Sequence, residues 1–290
     1  MVKRKILKLL KINWQQKNNI YFDKEYPIPE DIYFKAGGCK QYQRSKSPLE
    51  SSFYDMKVYK KFLKDIFNKY KPKLILDLGC GDGRFTLEIL NNFSNTFVVA
   101  VDSNFEDLNF IEKCLTKEQK ERILLICSSA EKTIFLEEIF DFIVLSEVAY
   151  VLKNPIKIYK KIFGYLKPNG LAFISNVAKQ SYFLHALINN DWEQVKNILL
   201  NSKYTDKIRG VKNLQVEVHL YTLPKLVEEV KNVGFEIVKH NIIYGEHALI
   251  LHKLRKEKML DDSKIDLVQL AFDNPVGIER IYTILARKKI

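Results

Sequence analysis

From residue 73 onward, strand-length apolar runs alternate with longer stretches in which apolar residues recur at helical spacing. Continuous apolar runs suit strands buried on both faces, and helical segments between them suit crossovers that cover a parallel sheet. The pattern predicts strands at 73–78, 97–101, 122–127, 140–145 and 171–175, with helices at 83–92, 105–115 and 154–166. Asn154-Pro155 opens the last helix, because asparagine caps it and proline lacks only an amide that would be unpaired in a first turn. Lys167-Pro168-Asn169-Gly170 ends it. Further on, Thr222 caps a helix through Val233, and Gly234 suits the left-handed position that closes it. Residues 235–243 then read as a sixth strand and 281–286 as the last. The expected fold is α/β, a doubly wound, seven-stranded, mostly parallel sheet.

Two segments break this rhythm, about 178–218 and 244–278, and each is too long for an ordinary connection. They read as insertions in a domain spanning 59–290, preceded by a cap or lid segment at 1–58 that is expected to be helical. Within it, Val2, Ile6, Leu9 and Leu10 share one helical face, while Arg4, Lys5, Lys8 and Lys11 occupy much of the rest. Such a helix can dock on its own domain, rest on an anionic membrane or bind RNA phosphates.

The formal net charge of +12 is concentrated here: residues 1–72 hold 17 Lys and Arg against 7 Asp and Glu, so the rest is nearly balanced. Lysines interrupt the apolar start before a signal-peptide core forms, and no stretch has the roughly 20 uncharged apolar residues of a membrane-spanning helix. Cys39, Cys80, Cys114 and Cys127 include no C-x-x-C pair, so neither a zinc site nor a disulfide framework is suggested. Reduced thiols in a cytoplasmic protein are the expectation.

Candidate chemistry begins at Asp77-Leu78-Gly79-Cys80-Gly81-Asp82-Gly83, which follows the first strand and opens a helix. Parallel sheets bind ligands beyond the carboxyl ends of their strands, where glycines let the backbone approach a ligand closely. The second strand ends in Val99-Ala100-Val101-Asp102. A carboxylate there can accept both hydroxyls of a ribose, or cap the helix that follows. The turn lacks the G-x-G-x-x-G spacing of dinucleotide sites.

Asp77-Leu78-Gly79-Cys80-Gly81-Asp82-Gly83 resembles the first motif of class I S-adenosylmethionine (SAM)-dependent methyltransferases, a Rossmann-like family, and Val99–Asp102 resembles its ribose-binding strand. Cys127-Ser128-Ser129-Ala130-Glu131 is similar to the segment that borders adenine, and Phe140–Glu147 to the fourth-strand motif. Leu166-Lys167-Pro168-Asn169-Gly170 looks like the turn before the fifth strand, and residues 279–289 like the final antiparallel strand. Ser129 stands where an Asp is common, so adenine recognition falls to backbone groups or the Ser129 hydroxyl. The resemblance implies SAM as cofactor, held by Asp77, Gly79, Cys80, Gly81, Gly83, Asp102, Ser129, Ala130 and Ser146, with no metal.

Transfer of a sulfonium methyl is a direct displacement that needs alignment more than a protein nucleophile. The family's residues after strand four face the methyl, which singles out Glu147 and Tyr150. His185, in the first insertion near Tyr182, Phe183 and Trp192, is a further candidate base, or a packed helix histidine. An N/D-P-P-Y string is absent. The aromatic and basic residues of the lid, among them Tyr21, Phe22, Tyr26, Tyr33, Phe34, Tyr42, Phe53, Tyr54 and Tyr59 with Lys35, Lys40, Arg44 and Lys46, can line a pocket for an anionic small acceptor or stack RNA bases. Three functions follow: O- or N-methylation of a small molecule, methylation of tRNA or rRNA, and an inactive SAM-fold interaction protein.

Overall fold

The computed structural model describes residues 14–23, 41–132, 135–207 and 215–289. Five strands form the centre of one sheet: β3 (Leu74–Leu78), β4 (Phe97–Asp102), β5 (Ile123–Cys127), β6 (Phe140–Ser146) and β7 (Leu166–Val177). They lie parallel in the order β5–β4–β3–β6–β7. The last strand, β11 (Glu279–Lys288), inserts antiparallel between β7 and β10 (Phe235–Tyr244). These are the seven strands the apolar runs predict.

Two strands were not expected. β1 (Trp14–Lys17) and β2 (Ile20–Asp23) form a hairpin whose second strand pairs parallel to β5, from Ile20 opposite Leu125 to Phe22 opposite Cys127. The sheet therefore has nine strands, and this part of the expected helical cap is β-structure. The physical reason is the edge of β5, whose backbone groups would otherwise be left without strand partners. Asn18 and Asn19 adopt φ of 51° and 60°, the left-handed pair that a two-residue hairpin turn requires, and Ile20 is fully buried. The basic helix predicted at 1–11, together with Tyr26, Tyr33, Phe34, Lys35, Cys39 and Lys40, lies outside the described residues.

Side chains alternate across the continuous apolar strands and so supply two cores. Leu76, Leu78, Val99, Val101, Ile143 and Leu145 face Ile158, Tyr159 and Ile162 of α6 (Pro155–Tyr165) and Leu226 and Val230 of α9 (Leu223–Asn232). On the other face, Ile75, Val98, Ala100 and Val144 meet α2 (Ser51–Tyr70), α3 (Arg84–Asn92) and α4 (Phe105–Cys114) through Leu63, Ile66, Phe85, Ile89, Leu108 and Ile111. Asn154 caps α6 by accepting the Lys157 amide at 3.2 Å, as its position beside Pro155 implies. The helix α2 follows the four-residue α1 (Gln41–Arg44) and runs unbroken across residue 58, where the sequence reading divides lid from domain.

The segments read as insertions carry elements outside the nine-stranded sheet. The first carries α7 (Lys179–Ile188), α8 (Trp192–Leu200) and an antiparallel pair, β8 (Lys203–Lys207) with β9 (Gln215–His219), around Ala186, Val195, Ile198 and Val218. The second carries α10 (Glu246–Lys256), a 3-10 turn at Asp262–Lys264 and α11 (Ile265–Asp273), and it packs on Tyr54 of α2 through Leu251, Leu254 and Val268; the remaining helix, α5 (Lys117–Glu121), leads into β5. No helix among the described residues is long and apolar enough to cross a membrane.

A buried carboxylate closes the second insertion. Glu246 Oε1 accepts the amides of Val276, Gly277 and Ile278 at 2.8, 2.7 and 2.8 Å, while the Gly245 amide donates to Ile278 O at 2.7 Å. Glu246→Ala strands three donors and should destabilise the protein by about 3 kcal/mol. Hydrogen exchange at Val276, Gly277 and Ile278 should accelerate with it, and Glu246→Gln, which keeps an acceptor oxygen, should lose less. Unchanged exchange at those amides in the alanine variant would show that the clasp contributes nothing.

Candidate active site

The glycine turn wraps the carboxyl ends of β3 and β4. The Gly79 and Cys80 amides donate to Val101 O at 2.8 and 3.0 Å, which stitches the turn to the next strand. Gly79 has φ +79°, and a Cβ there would stand 2.3 Å from Val148 Cγ2. Gly83, at φ +91°, would place a Cβ 2.7 Å from Ile111 Cγ1, so its role is close packing of helix against helix. Asp102 Oδ2 accepts the Gly81 amide at 2.7 Å and Oδ1 the Asn104 amide at 2.9 Å. The capping of α4 falls to Asn104, whose side chain accepts from Glu106 and Asp107. Asp102 is thus held at the cavity wall by the glycine turn and by the start of α4.

A cavity of about 190 Å³ opens beyond these strand ends. Its wall brings together Asp77, Gly79, Cys80, Gly81, Asp102, Ser129, Ala130 and Ser146, eight of the nine residues expected to hold the cofactor, together with Glu147 and Tyr150. Gly83 lies behind the wall, and His185 lines a different cavity. The Ser129 hydroxyl accepts the Lys132 amide at 3.2 Å. The chain after β6 folds over the cavity as a single 3-10 turn, Ala149–Val151, which places Val148, Tyr150, Val151 and Leu152 against it.

Charge dominates this cavity. Asp77, Asp82, Asp102, Asp107 and Glu147 line it, against one cation, Arg84. Burial and the neighbouring Asp102 push the Asp77 carboxyl up to about 7, although the Thr86 hydroxyl donates to it at 2.6 Å. Asp82 is raised by burial, and both its oxygens accept the Tyr42 amide at 2.9 Å, tying α1 to the glycine turn.

Sequence reasoning missed Arg84, and it gave Tyr59 a place only among the aromatic residues of the lid. Arg84 Nη2 donates to Glu147 Oε1 at 2.7 Å, and the Tyr59 hydroxyl donates to the same oxygen at 3.2 Å. The guanidinium lies 5.1 Å from the centre of the Tyr59 ring, which packs on Phe85 and Phe173. Burial disfavours the charged guanidinium, but the Glu147 carboxylate outweighs it and holds the Arg84 pKa above its ordinary value. A signal existed in the chain: a cation in the first turn of a helix opposes the helix dipole, so Arg84 needs a carboxylate from elsewhere. Glu147, at φ +57°, is that carboxylate.

Strand order and the glycine turn at the ends of β3 and β4 together define a class I methyltransferase fold. A family model described as "Methyltransferase domain" matches residues 53–240, and the chain belongs to this family of SAM-dependent class I methyltransferases. The chain is similar to a malonyl-[acyl-carrier protein] O-methyltransferase of Halalkalibacterium halodurans, 30% identical over 40% of this chain and 43% of that protein. It is also similar to an (S)-coclaurine N-methyltransferase of Papaver somniferum, 34% identical over 38% of this chain and 31% of that protein. It thus spans less than half the length of these two relatives. A solved SAM-dependent methyltransferase from Methanosarcina mazei shares the fold, with a TM-score of 0.55 at 18% identity over 78% of this chain and 97% of that one.

The raised Asp77 carboxyl gives a signed expectation. Its folded pKa exceeds the unfolded 3.8, so the native state binds more protons between pH 3.8 and about 7, and stability is lost as pH rises through that window. Asp77→Asn keeps an acceptor for Thr86 and removes the buried charge. Its unfolding free energy should therefore overtake the wild type's increasingly from pH 4 to 7 and hold that lead above, by at most about 4 kcal/mol, as read from denaturant unfolding at each pH. A constant difference across pH would refute the assignment.

Proposed function

We propose that this chain transfers the methyl group of SAM to an oxygen or nitrogen atom of a small-molecule acceptor. The observation that carries the reading is the acid-lined cavity at the ends of β3, β4 and β6, where Asp102 is fixed by the Gly81 amide at 2.7 Å. Bound SAM would supply an electrophilic methyl on a cationic sulfonium, open to direct displacement. Five carboxylates against one arginine suit a cationic ligand, and the fit extends to its parts. Asp102 is placed to accept ribose hydroxyls, Ser129 and Ala130 to border the base, and Asp77 beside the glycine turn to meet an ammonium group. Val148 and the 3-10 turn exclude water from the same space.

Glu147 is engaged by Arg84 and Tyr59, which supports a positioning role over that of a base. No histidine lines this cavity among the described residues. An acceptor atom with a free lone pair near neutral pH, such as an amine, a carboxylate or an acidic hydroxyl, suits it best. The names of the two curated relatives, one an O- and one an N-methyltransferase, support both atoms. The acceptor space is formed in this reading by the lid of 1–58 and the insertion at 178–218. The RNA reading rests on basic residues of which 1–13 and 24–40 lie outside the described part.

Calorimetric titration with SAM and with its demethylated product should show saturable binding of both. Asp102→Ala should weaken each by tenfold or more, equivalent to about 1.4 kcal/mol. Incubation with methyl-labelled SAM and a metabolite extract should label a small molecule. Absence of cofactor binding by the folded chain would sink the reading, binding without any transfer would favour the inactive interaction protein, and label in tRNA or rRNA would favour the RNA enzyme.

A further inference from the structure

A second cavity, of about 150 Å³, opens where the two insertions meet, between α7 and α10. It stands over the β7–β11–β10 side of the sheet, at the same end as the cofactor cavity. Just past β7, the Ala178 amide donates to Arg280 O at 2.8 Å, and just past β10 Gly245 closes on Ile278. Arg280 is paired with the buried Asp55 at 3.1 Å, and this pair is close enough to Arg84, Glu147 and Tyr59 for their charges to act on one another.

Basic side chains predominate in the lining of the second cavity, where carboxylates predominate in the first. Arg255, Arg280, His185 and His252 line it, against one carboxylate, Glu279, which accepts the Tyr282 hydroxyl. The carboxylates that balance the arginines lie outside its lining. Asp55 accepts from Arg280 at 3.1 Å and Glu50 contacts Arg255 at 3.0 Å, while Arg255 also donates to Leu49 O and Arg280 to Ser51 Oγ. The two imidazoles lie edge to face, 5.9 Å apart. Leu184, Ile188 and Leu249 supply an apolar wall opposite these groups. A guanidinium offers parallel N–H donors that match a carboxylate or phosphate, and an apolar wall suits the body that carries it.

We propose that this cavity is the specificity pocket of the methyl acceptor, taking the carboxylate or phosphate head of an acid with an apolar body, and that Arg255 and His252 select for that acid. The acceptor role rests on the neighbouring cavity being the methyl-donor site. The arrangement then separates the substrates by charge: a cationic donor enters the acid-lined cavity and an anionic acceptor the base-lined one, each repelled from the other's place.

The test is calorimetric titration of the full chain, saturated with S-adenosylhomocysteine, using hexanoate, hexyl phosphate and hexylammonium as probes. At least one acid should bind tenfold or more tighter than the amine; preference for hexanoate assigns carboxylates, and preference for hexyl phosphate assigns phosphates. The double variant Arg255→Gln, His252→Gln should lose tenfold or more of the acid affinity while its S-adenosylhomocysteine affinity stays within twofold. Should that variant not fold, the discrimination between acids and amine by the wild type decides alone. Equal binding of acids and amine, no saturable acid binding beside intact S-adenosylhomocysteine binding, or full acid affinity in the folded variant would each overturn the pocket. If S-adenosylhomocysteine itself does not bind the wild type, the donor-site reading fails, and the acceptor role with it.

Discussion

The buried pair of Arg84 and Glu147, 2.7 Å apart, is the contact on which the arrangement of the site depends. It joins the first turn of α3 to the residue after β6, and Tyr59 brings α2 to the same oxygen. Removing two charges from water costs several kcal/mol, which the pair offsets only because hydrogen bonds and an aromatic face surround it. Such a pair adds little net stability against an apolar substitute. Its consequence is geometric: α2, α3 and β6 cannot shift independently without leaving a charge unpaired. Glu147 accepts a left-handed φ of +57° under this constraint, and Val148 is thereby set against Gly79, closing the cavity from the β6 side.

A second ion pair repeats the device one layer further out. Burial would raise the Asp55 carboxyl, but Arg280 with His247 holds it down at about 2, so it stays ionised at any ordinary pH. Asp55 belongs to α2, Arg280 to β11 and His247 to α10, so the pair ties the lid-side helix to the last strand and the second insertion. The glycine turn is anchored likewise, because Asp82 holds α1 by the Tyr42 amide. Residues 41–70 are thus bound to the sheet at three charged points beside a broad apolar contact through Leu63, Ile66 and Phe67.

Much of the fold was legible along the chain, because a parallel sheet covered on both faces leaves uninterrupted apolar runs at regular intervals. The strands at β3 to β7 and the closing β10 and β11 were found within a few residues. The hairpin at 14–23 was not, since Ile20, Tyr21 and Phe22 are too few to outweigh the basic residues around them. Asn18-Asn19 was the available signal, a pair that tolerates the left-handed turn. His185 was grouped with the methyl site by its aromatic neighbours in sequence, whereas α7 carries it to the cavity beside His252.

The sequence by itself determined the donor side of this protein. The glycine turn and Asp102 are local features, each written in a few adjacent residues, and the order of strands brings them together whatever the rest of the chain does. Only the tertiary structure decided which charges meet. Arg84 and Glu147 are 63 positions apart, Tyr59 and Glu147 88, and Asp55 and Arg280 225. Pairing across such separations follows from which side chains are forced into the same low-dielectric space; the chain read in order marks Arg84 as a cation in need of a carboxylate but does not name the partner.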